Sequence, residues 1–161
     1  MNKKIISFVE LFLSAICALF LFINGMFDLE YRVKYVGTAG FHFVSEEPTS
    51  FFEALSELGT AYEILGYILL ALIVTNIVVL LIPMFTENFK NKKWFAYISP
   101  IAIVILIFIS ILGRNTQPIE TYWWYKIFPH TLFYIEIFIL IVNTFLSLYK
   151  NYGKLSNADV E

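Results

Sequence analysis

The sequence predicts an all-α integral membrane protein, an up-down bundle of four transmembrane helices with a small β-hairpin and a short amphipathic helix between the first two. Its 161 residues are 59% hydrophobic and only 15% charged, a balance that small soluble domains do not show. Helices are expected because backbone groups in lipid must be hydrogen-bonded within their own segment. Four apolar runs reach the roughly 20 residues that a helix needs to cross a bilayer: 5–26, 60–84, 94–113 and 127–148.

The first run follows the basic start MNKK and so has the charge pattern of a secretory signal peptide. It is longer than a signal core, contains Glu10 and lacks an A-x-A cleavage pattern. We therefore expect this run to remain in the protein as the first membrane helix.

The distribution of lysine and arginine predicts which loops face the cytoplasm. The larger basic set lies at the N-terminus, in the loop 85–93 and in the tail 149–161: Lys3, Lys4, Lys90, Lys92, Lys93, Lys150 and Lys154. The loops 27–59 and 114–126 hold the remainder, Arg32, Lys34, Arg114 and Lys126. The protein is therefore expected in the plasma or inner membrane of the cell, with both termini in the cytoplasm. The stretch 122-YWWY-125 is expected to mark the outer interface of the fourth helix.

The first outer loop, 27–59, is expected to be folded. In 30-EYRVKYVGTAGFHFVSEE-47, two runs of alternating apolar and polar residues flank GTAG, the pattern of a β-hairpin with a four-residue turn. Such a loop either covers the ends of the helices or serves as a docking surface, since a hairpin edge can accept a strand from a partner. The candidate docking residues are Tyr35, Phe41, His42, Phe43, Phe51 and Phe52.

A short helix is predicted after the hairpin, in 50-SFFEALSELG-59. Ser50 and Glu53 form a capping-box pattern, and Gly59 suits a helix C-terminus. The apolar residues share one face, so we expect an amphipathic helix that lies on the membrane surface or caps the bundle. That face comprises Phe51, Phe52, Leu55 and Leu58.

Polar residues inside the membrane helices follow helical spacing. At about 3.6 residues per turn, Glu136 and Asn143 share one face of the fourth helix, a pattern typical of a seam between helices. The first helix has a similar stripe. A rise of about 1.5 Å per residue predicts three polar layers along the bundle. They are Glu10, Asn76 and Asn143 toward the cytoplasm; Ser14, Cys17 and Glu136 near the midplane; and Asn24, Glu63 and His130 at the outer boundary.

Glu136 has two alternative roles. A carboxylate at the bilayer centre costs about 2.5–3.5 kcal/mol on insertion scales, so its side chain is expected to face the bundle, protonated or hydrogen-bonded. One hypothesis is a proton- or cation-binding site with Glu10 or Asn143 as a relay. The other is an interhelical hydrogen bond from a neutral Glu136 to Ser14 or to a backbone carbonyl, worth about 0.6–2 kcal/mol.

The sequence contains no recognisable catalytic, cofactor or metal-binding motif, and no cofactor is expected. It has one cysteine, Cys17, and two histidines, His42 and His130, without metal-ligand spacing. His130 is expected to hydrogen-bond near the outer boundary, for example with Glu63. The formal net charge of −2 argues against binding to nucleic acid.

The predicted layout, with inward termini and a first outer loop of strands and a helix, resembles the claudin-type architecture. The tryptophan and cysteine signature of claudins is absent from 27–59. The stretch 61-AYEILGYILLAL-72, with a glutamate entering the second helix and a glycine three residues on, is similar to DoxX-like four-helix proteins. No functional residue carries over from either family.

Three classes of function follow. The first is a non-catalytic protein of the lipid bilayer that acts through contacts with a membrane-protein partner or with copies of itself, such as an accessory subunit of an envelope complex or an immunity-type protein. The second is a small oligomeric proton- or cation-linked transporter or channel that uses Glu136 and Glu10. The third is a membrane enzyme or redox carrier.

Overall fold

A computed structural model describes residues 3–34, 41–85, 93–114 and 123–152, and helices dominate it. The helices are α1 (Lys3–Phe20), α2 (Phe51–Leu58), α3 (Thr60–Phe85), α4 (Ile98–Arg114) and α5 (Thr131–Tyr152), with a 3-10 turn at Lys93–Tyr97. One antiparallel sheet contains β1 (Phe27–Lys34), β2 (Phe41–Thr49) and β3 (Trp123–Pro129).

Within these described ranges, three segments are long and apolar enough to cross a membrane: Thr60–Pro83, Phe95–Arg114 and Thr131–Tyr152. They coincide with three of the four predicted spans. The remaining predicted span, 5–26, falls on α1, an 18-residue helix that contains Lys3, Lys4 and Glu10 and is not among the three.

The first helix is shorter than predicted, since α1 ends at Phe20 and residues 21–26 form a turn that leads into β1. Gly25 has a φ of +114°, a conformation that favours glycine. The N–H groups of Gly25 and Met26 both donate to the carbonyl of Thr49, at 2.9 and 3.1 Å. The apolar run extends beyond the end of the helix because the last residue of the run, Met26, is buried in the core.

The predicted hairpin is confirmed and is part of a larger sheet. β1 and β2 pair antiparallel, with Phe27 opposite Thr49 at one end and Lys34 opposite Phe41 at the other, and β1 has an irregularity after Tyr31. The predicted turn, 37–40, lies outside the described residues. β3 pairs with the other side of β1, so the strand order is β2-β1-β3 and β1 is central.

The third strand corrects the prediction, which had an all-α protein with 114–126 as a loop and a fourth helix beginning at 127. β3 spans Trp123–Pro129, and α5 begins only at Thr131. Ile127 is fully buried on one face of β3, while the Phe128 ring lies 5.5 Å from the Arg114 guanidinium on the other. Because both faces need apolar residues, the alternation that identifies a strand is lost.

The predicted short helix is confirmed, and it caps the bundle. Glu53 N–H donates to Ser50 Oγ (3.3 Å), and Ser50 N–H donates to the Glu53 carboxylate (3.5 Å), which completes the capping box. Phe51 and Leu55 are buried against α3, where a Cβ on Gly66 would lie only 2.4 Å from Leu55 Cδ1. We refer to α2 and the three strands together as the cap.

The core of the protein lies where the cap meets the helices. The ring of Phe27 packs between those of Phe51 and Phe133, with centroids 6.1 and 5.4 Å away. Ile127 of β3 lies over Gly113 of α4, where an added Cβ would approach Ile127 Cγ1 to 2.3 Å. The cap therefore sits directly on the ends of the helices, because small residues leave room for it.

Candidate functional site

The helices α1 and α5 bury polar side chains and expose apolar ones. The buried side chains at one face of each helix include Glu10, Ser14, Cys17, Glu136 and Asn143. The opposite faces expose Phe8, Phe12, Leu19, Phe138 and Phe145. This arrangement confirms the predicted stripes: the polar residues share a face at helical spacing, and both stripes point into the bundle.

Ser14 joins three helices through hydrogen bonds. Its hydroxyl donates to the backbone carbonyl of Glu10 (2.8 Å) and accepts from the side-chain amides of Asn76 on α3 (2.9 Å) and Asn143 on α5 (3.1 Å). The two asparagines were predicted in one layer, and the structure brings them together on the serine. This cluster supplies the interhelical bonding that the sequence analysis assigned to Glu136 and Ser14.

Glu10 forms an ion pair with Lys150, a residue that the prediction placed in the cytoplasmic tail. The pair forms because α5 continues to Tyr152, four residues beyond the predicted end of the fourth helix. The Lys150 ammonium also lies 3.4 Å from Ser7 Oγ, and the Glu10 carboxylate accepts from Ser147. Glu10 is thus satisfied by its neighbours and does not hydrogen-bond the side chain of Ser14.

Glu136 differs from Glu10, the other acid buried in the bundle; the Thr49 hydroxyl and the Asn143 Oδ1 also lack a partner among the described residues, but neither group is ionisable. Its side chain is 0% exposed, and neither carboxyl oxygen has a hydrogen-bond partner among the described residues. The Cys17 thiol on α1 is close enough to interact electrostatically with it, so these two predicted midplane residues do lie together. Ser14, the third member of that layer, is engaged with the asparagines, and the predicted Glu136–Ser14 hydrogen bond is wrong.

The predicted polar layer at the outer boundary does not form as a unit. His130 Nδ1 lies 2.8 and 3.0 Å from the two carboxylate oxygens of Asp28 on β1, not beside Glu63. Asn24 is exposed in the turn after α1, and Glu63 is partly exposed on α3. The sequence analysis missed Asp28 because strand pairing, which sets its position opposite Phe128, was not predicted for β3.

The candidate docking residues fall into different environments. Tyr35 lies outside the described residues. Phe41, His42 and Phe43 belong to β2, the edge strand beside β1, but their side chains are outside what the structure describes. Phe51 is fully buried, and Phe52 is partly buried between the rings of Phe22 and Tyr67 at 5.3 and 5.4 Å. Phe51 is therefore part of the core, because it stacks on Phe27 rather than facing outward.

A patch that the sequence analysis missed lies at the edge of the cap. The Tyr31 and Tyr125 rings, on neighbouring strands, contact each other edge to face at 5.2 Å. Burial and then the carboxylates of Glu57, Glu47 and Glu53 raise the pKa of Tyr31.

Burial and Glu57 likewise raise the pKa of Tyr125, whose hydroxyl donates to the Glu57 carboxylate. Glu57 therefore interacts with both tyrosines, whereas Glu47 and Glu53 interact with Tyr31. We call these five residues the tyrosine–glutamate patch: Tyr31, Tyr125, Glu47, Glu53 and Glu57. The pairing of β1 with β3 brings Tyr31 next to Tyr125. The sequence analysis did not find this patch because it did not predict β3.

No group of three or more His, Cys, Asp or Glu in the described part of the chain could hold a metal ion. No family model, curated protein or solved structure matches the chain. The two features that call for a functional interpretation are the unpartnered carboxyl of Glu136 and the tyrosine–glutamate patch.

Proposed function

We propose that this is a small integral membrane protein whose helices α1, α3, α4 and α5 all cross the bilayer, with the cap on the outer side. The exposed apolar face and buried polar face of α1 support its inclusion, since a helix on the surface of a soluble protein has the reverse arrangement. Its 18 residues span about 27 Å, close to the roughly 30 Å of bilayer hydrocarbon.

The proposed orientation rests on the basic residues. Lys4 lies in the first turn of α1 and Lys150 in the last turn of α5, so both lie at the end of the bundle away from the cap. Cytoplasmic loops carry the excess of lysine and arginine in membrane proteins. Both termini are thereby assigned to the cytoplasm, and the cap to the outer side.

In this orientation the protein acts without catalysis, by contact with a partner at its cap. The observation that carries this function is the tyrosine–glutamate patch: a pair of aromatic rings with three carboxylates around it. Glu53 and Glu57 are exposed on α2, and Glu47 is exposed on β2. Aromatic side chains are enriched among the residues that dominate binding energy, and complementary charge directs the approach of a partner.

The occupant that fits this patch is a segment of a membrane-protein partner that carries lysine or arginine on the outer side. A cation over a tyrosine ring contributes about 0.5–1 kcal/mol at an exposed site. Three carboxylates add long-range attraction that falls with ionic strength. An accessory subunit of an envelope complex and an immunity-type protein both act by contacts of this kind.

The chain offers a matched pair of variants for the test. Glu47 faces the same side of the sheet as Leu29, whereas its neighbour Glu46 lies opposite Glu30 and faces the other side. Glu47→Gln combined with Glu57→Gln removes two charges from the patch, and Glu46→Gln removes one charge from the opposite face. Glu53 is left intact because it belongs to the capping box of α2.

Two measurements use these variants in neutral detergent. A fluorescent lysine-rich peptide should bind the wild type and the Glu46→Gln protein equally, bind the double variant several-fold more weakly, and dissociate as salt is added. Affinity purification from the native membrane should recover a partner with the first two proteins and lose it with the third. Equal binding by all three proteins in both measurements contradicts the proposal.

A further inference from the structure

The Glu136 carboxyl has no structural role of the kind that Glu10 and Ser14 have in the bundle. Glu10 has its ion pair with Lys150, and Ser14 ties α1 to α3 and α5. Glu136 is fully buried, and both of its oxygens lack a partner among the described residues. A buried acceptor without a hydrogen bond costs free energy, and an isolated buried carboxylate costs far more.

The geometry points to Glu136 as a proton-binding site whose protonation is coupled to the packing of α1 against α5. In the closed bundle the side chain takes up a proton and is a neutral carboxylic acid; when the two helices separate, it reaches water and can release that proton. This inference concerns the interior of the bundle and does not rest on the proposed docking function of the cap.

A proton suits this site better than a metal cation. Hard cations take six or more oxygen ligands from carboxylates, carbonyls and water, and no group of three or more His, Cys, Asp or Glu in the described part of the chain could hold a metal ion. Three charged side chains of α1, β1 and α4, which pack against α5, are engaged elsewhere: Glu10 with Lys150, Asp28 with His130, and Arg114 over Phe128.

The coupling follows from what lies on either side of Glu136 along α5. Phe133, one turn toward the cap, is buried and stacks on Phe27 at 5.4 Å. Leu140, one turn in the other direction, is 3% exposed and separates Glu136 from the amide of Asn143. The closed bundle therefore provides no described hydrogen-bonded path from Glu136 to water, and proton release requires the α1–α5 contact to open.

The first test is infrared spectroscopy of the full-length protein in lipid. A protonated carboxylic acid shows a C=O stretching band that a carboxylate lacks. We expect this band at neutral pH in the wild type, its loss in Glu136→Gln, and its retention in Glu63→Gln, the matched control on α3. Absence of the band from the wild type at neutral pH overturns the inference. This outcome is measured on the wild-type protein and does not depend on whether a variant folds.

The second test uses Cys17, the only cysteine of the chain, as a reporter of opening. It is fully buried on α1 and interacts with Glu136. Alkylation by a membrane-permeant maleimide accelerates on the order of tenfold per pH unit through thiolate formation alone. We expect a further several-fold acceleration in alkali in the wild type and none in Glu136→Gln, which remains neutral.

Parallel pH profiles for the wild type and Glu136→Gln, with Glu63→Gln as the control for a lost charge, overturn the coupling. Failure of these tests leaves binding at the cap unaffected, and loss of binding at the cap leaves both tests of Glu136 unaffected. The two proposals can therefore fail separately.

Discussion

The helical bundle buries polar side chains such as Ser14 and Glu136 among its apolar ones, whereas the buried side chains of the cap are mostly apolar, such as Phe27 and Phe51. The surfaces are reversed as well. The bundle exposes aromatic and aliphatic residues along α1 and α5, and the cap exposes glutamates on α2 and β2. The cap is therefore packed as a water-soluble domain is packed, while the bundle has the polarity expected of helices surrounded by lipid.

This difference shows where each part gains its stability. In the cap, removal of apolar area from water is the main favourable term. Between helices in lipid that term is absent, because the surrounding acyl chains are as apolar as leucine. In the proposed membrane orientation, packing and a few hydrogen bonds, such as those to Ser14, hold the helices together. The same type of substitution should have different effects in the two regions.

The largest contrast is expected from one phenylalanine truncation in each region. Phe51→Ala in the cap should lower the free energy of unfolding by about 3–5 kcal/mol, since the ring is fully buried. Phe138→Ala on α5, where the side chain is 65% exposed, should change it by less than about 0.5 kcal/mol. Thermal unfolding in mild detergent measures both, and equal losses would refute the contrast.

The junction between cap and bundle should respond to added volume. Gly113→Ala places a Cβ against Ile127, and overpacking of this kind costs about 1–3 kcal/mol. Ile127→Val removes part of the obstruction, so the double variant should be more stable than the sum of the single losses predicts. A double-mutant cycle measured by thermal unfolding tests this; strict additivity would show that the two residues do not meet.

Within the bundle, loss of the Ser14 hydroxyl should have a moderate effect. Ser14→Ala removes the shared partner of Asn76 and Asn143 and should cost about 0.6–1.7 kcal/mol. Thr75→Ala, at an exposed position beside Asn76, is the control and should have little effect. Unfolding in increasing denaturing detergent compares the variants. Indistinguishable stability of Ser14→Ala and Thr75→Ala would remove the role assigned to this cluster.

The smallest effect is expected at the contact between Asp28 of the cap and His130. The His130 side chain is 37% exposed and that of Asp28 is 23% exposed, and pairs of this kind contribute about 0.2–1 kcal/mol. Asp28→Asn should destabilise the cap within that range at low salt and by less at high salt. Limited proteolysis of the cap at two ionic strengths measures the difference, with Glu63→Gln as a control for lost charge. A large, salt-independent loss would identify a buried network rather than a surface pair.

Much of this arrangement follows from local sequence patterns. Three membrane-length helices, the β1–β2 hairpin and the capping box at Ser50 are each specified by neighbouring residues, through apolar length, alternation or a short hydrogen-bonding motif. The inward stripe of α1 also follows from its 3–4 residue repeat. The helix boundaries were less predictable, because apolar residues that are buried outside the helices, such as Met26 and Ile127, extend the apolar runs beyond the helix ends.

The candidate sites were predicted only in part, since each depends on which elements meet. The sequence identified Glu10, Ser14, Asn76, Glu136 and Asn143 as a set, but it did not show that Ser14 holds both asparagines or that Lys150 reaches Glu10. Because these groups bond to one another, the Glu136 carboxyl has no hydrogen-bond partner among the described residues. The tyrosine–glutamate patch was not predicted, because Tyr31 and Tyr125 are nearly a hundred positions apart along the chain.

The sequence by itself determined a mostly helical protein with apolar helices of membrane length, polar stripes and a folded segment before α3, because hydrophobic length and periodicity are properties of contiguous residues. Only the tertiary structure decided that a third strand completes the sheet, that the cap sits on the bundle, and which polar groups find partners. Those outcomes depend on contacts between distant segments, whose free energies are set by packing and geometry rather than by local pattern.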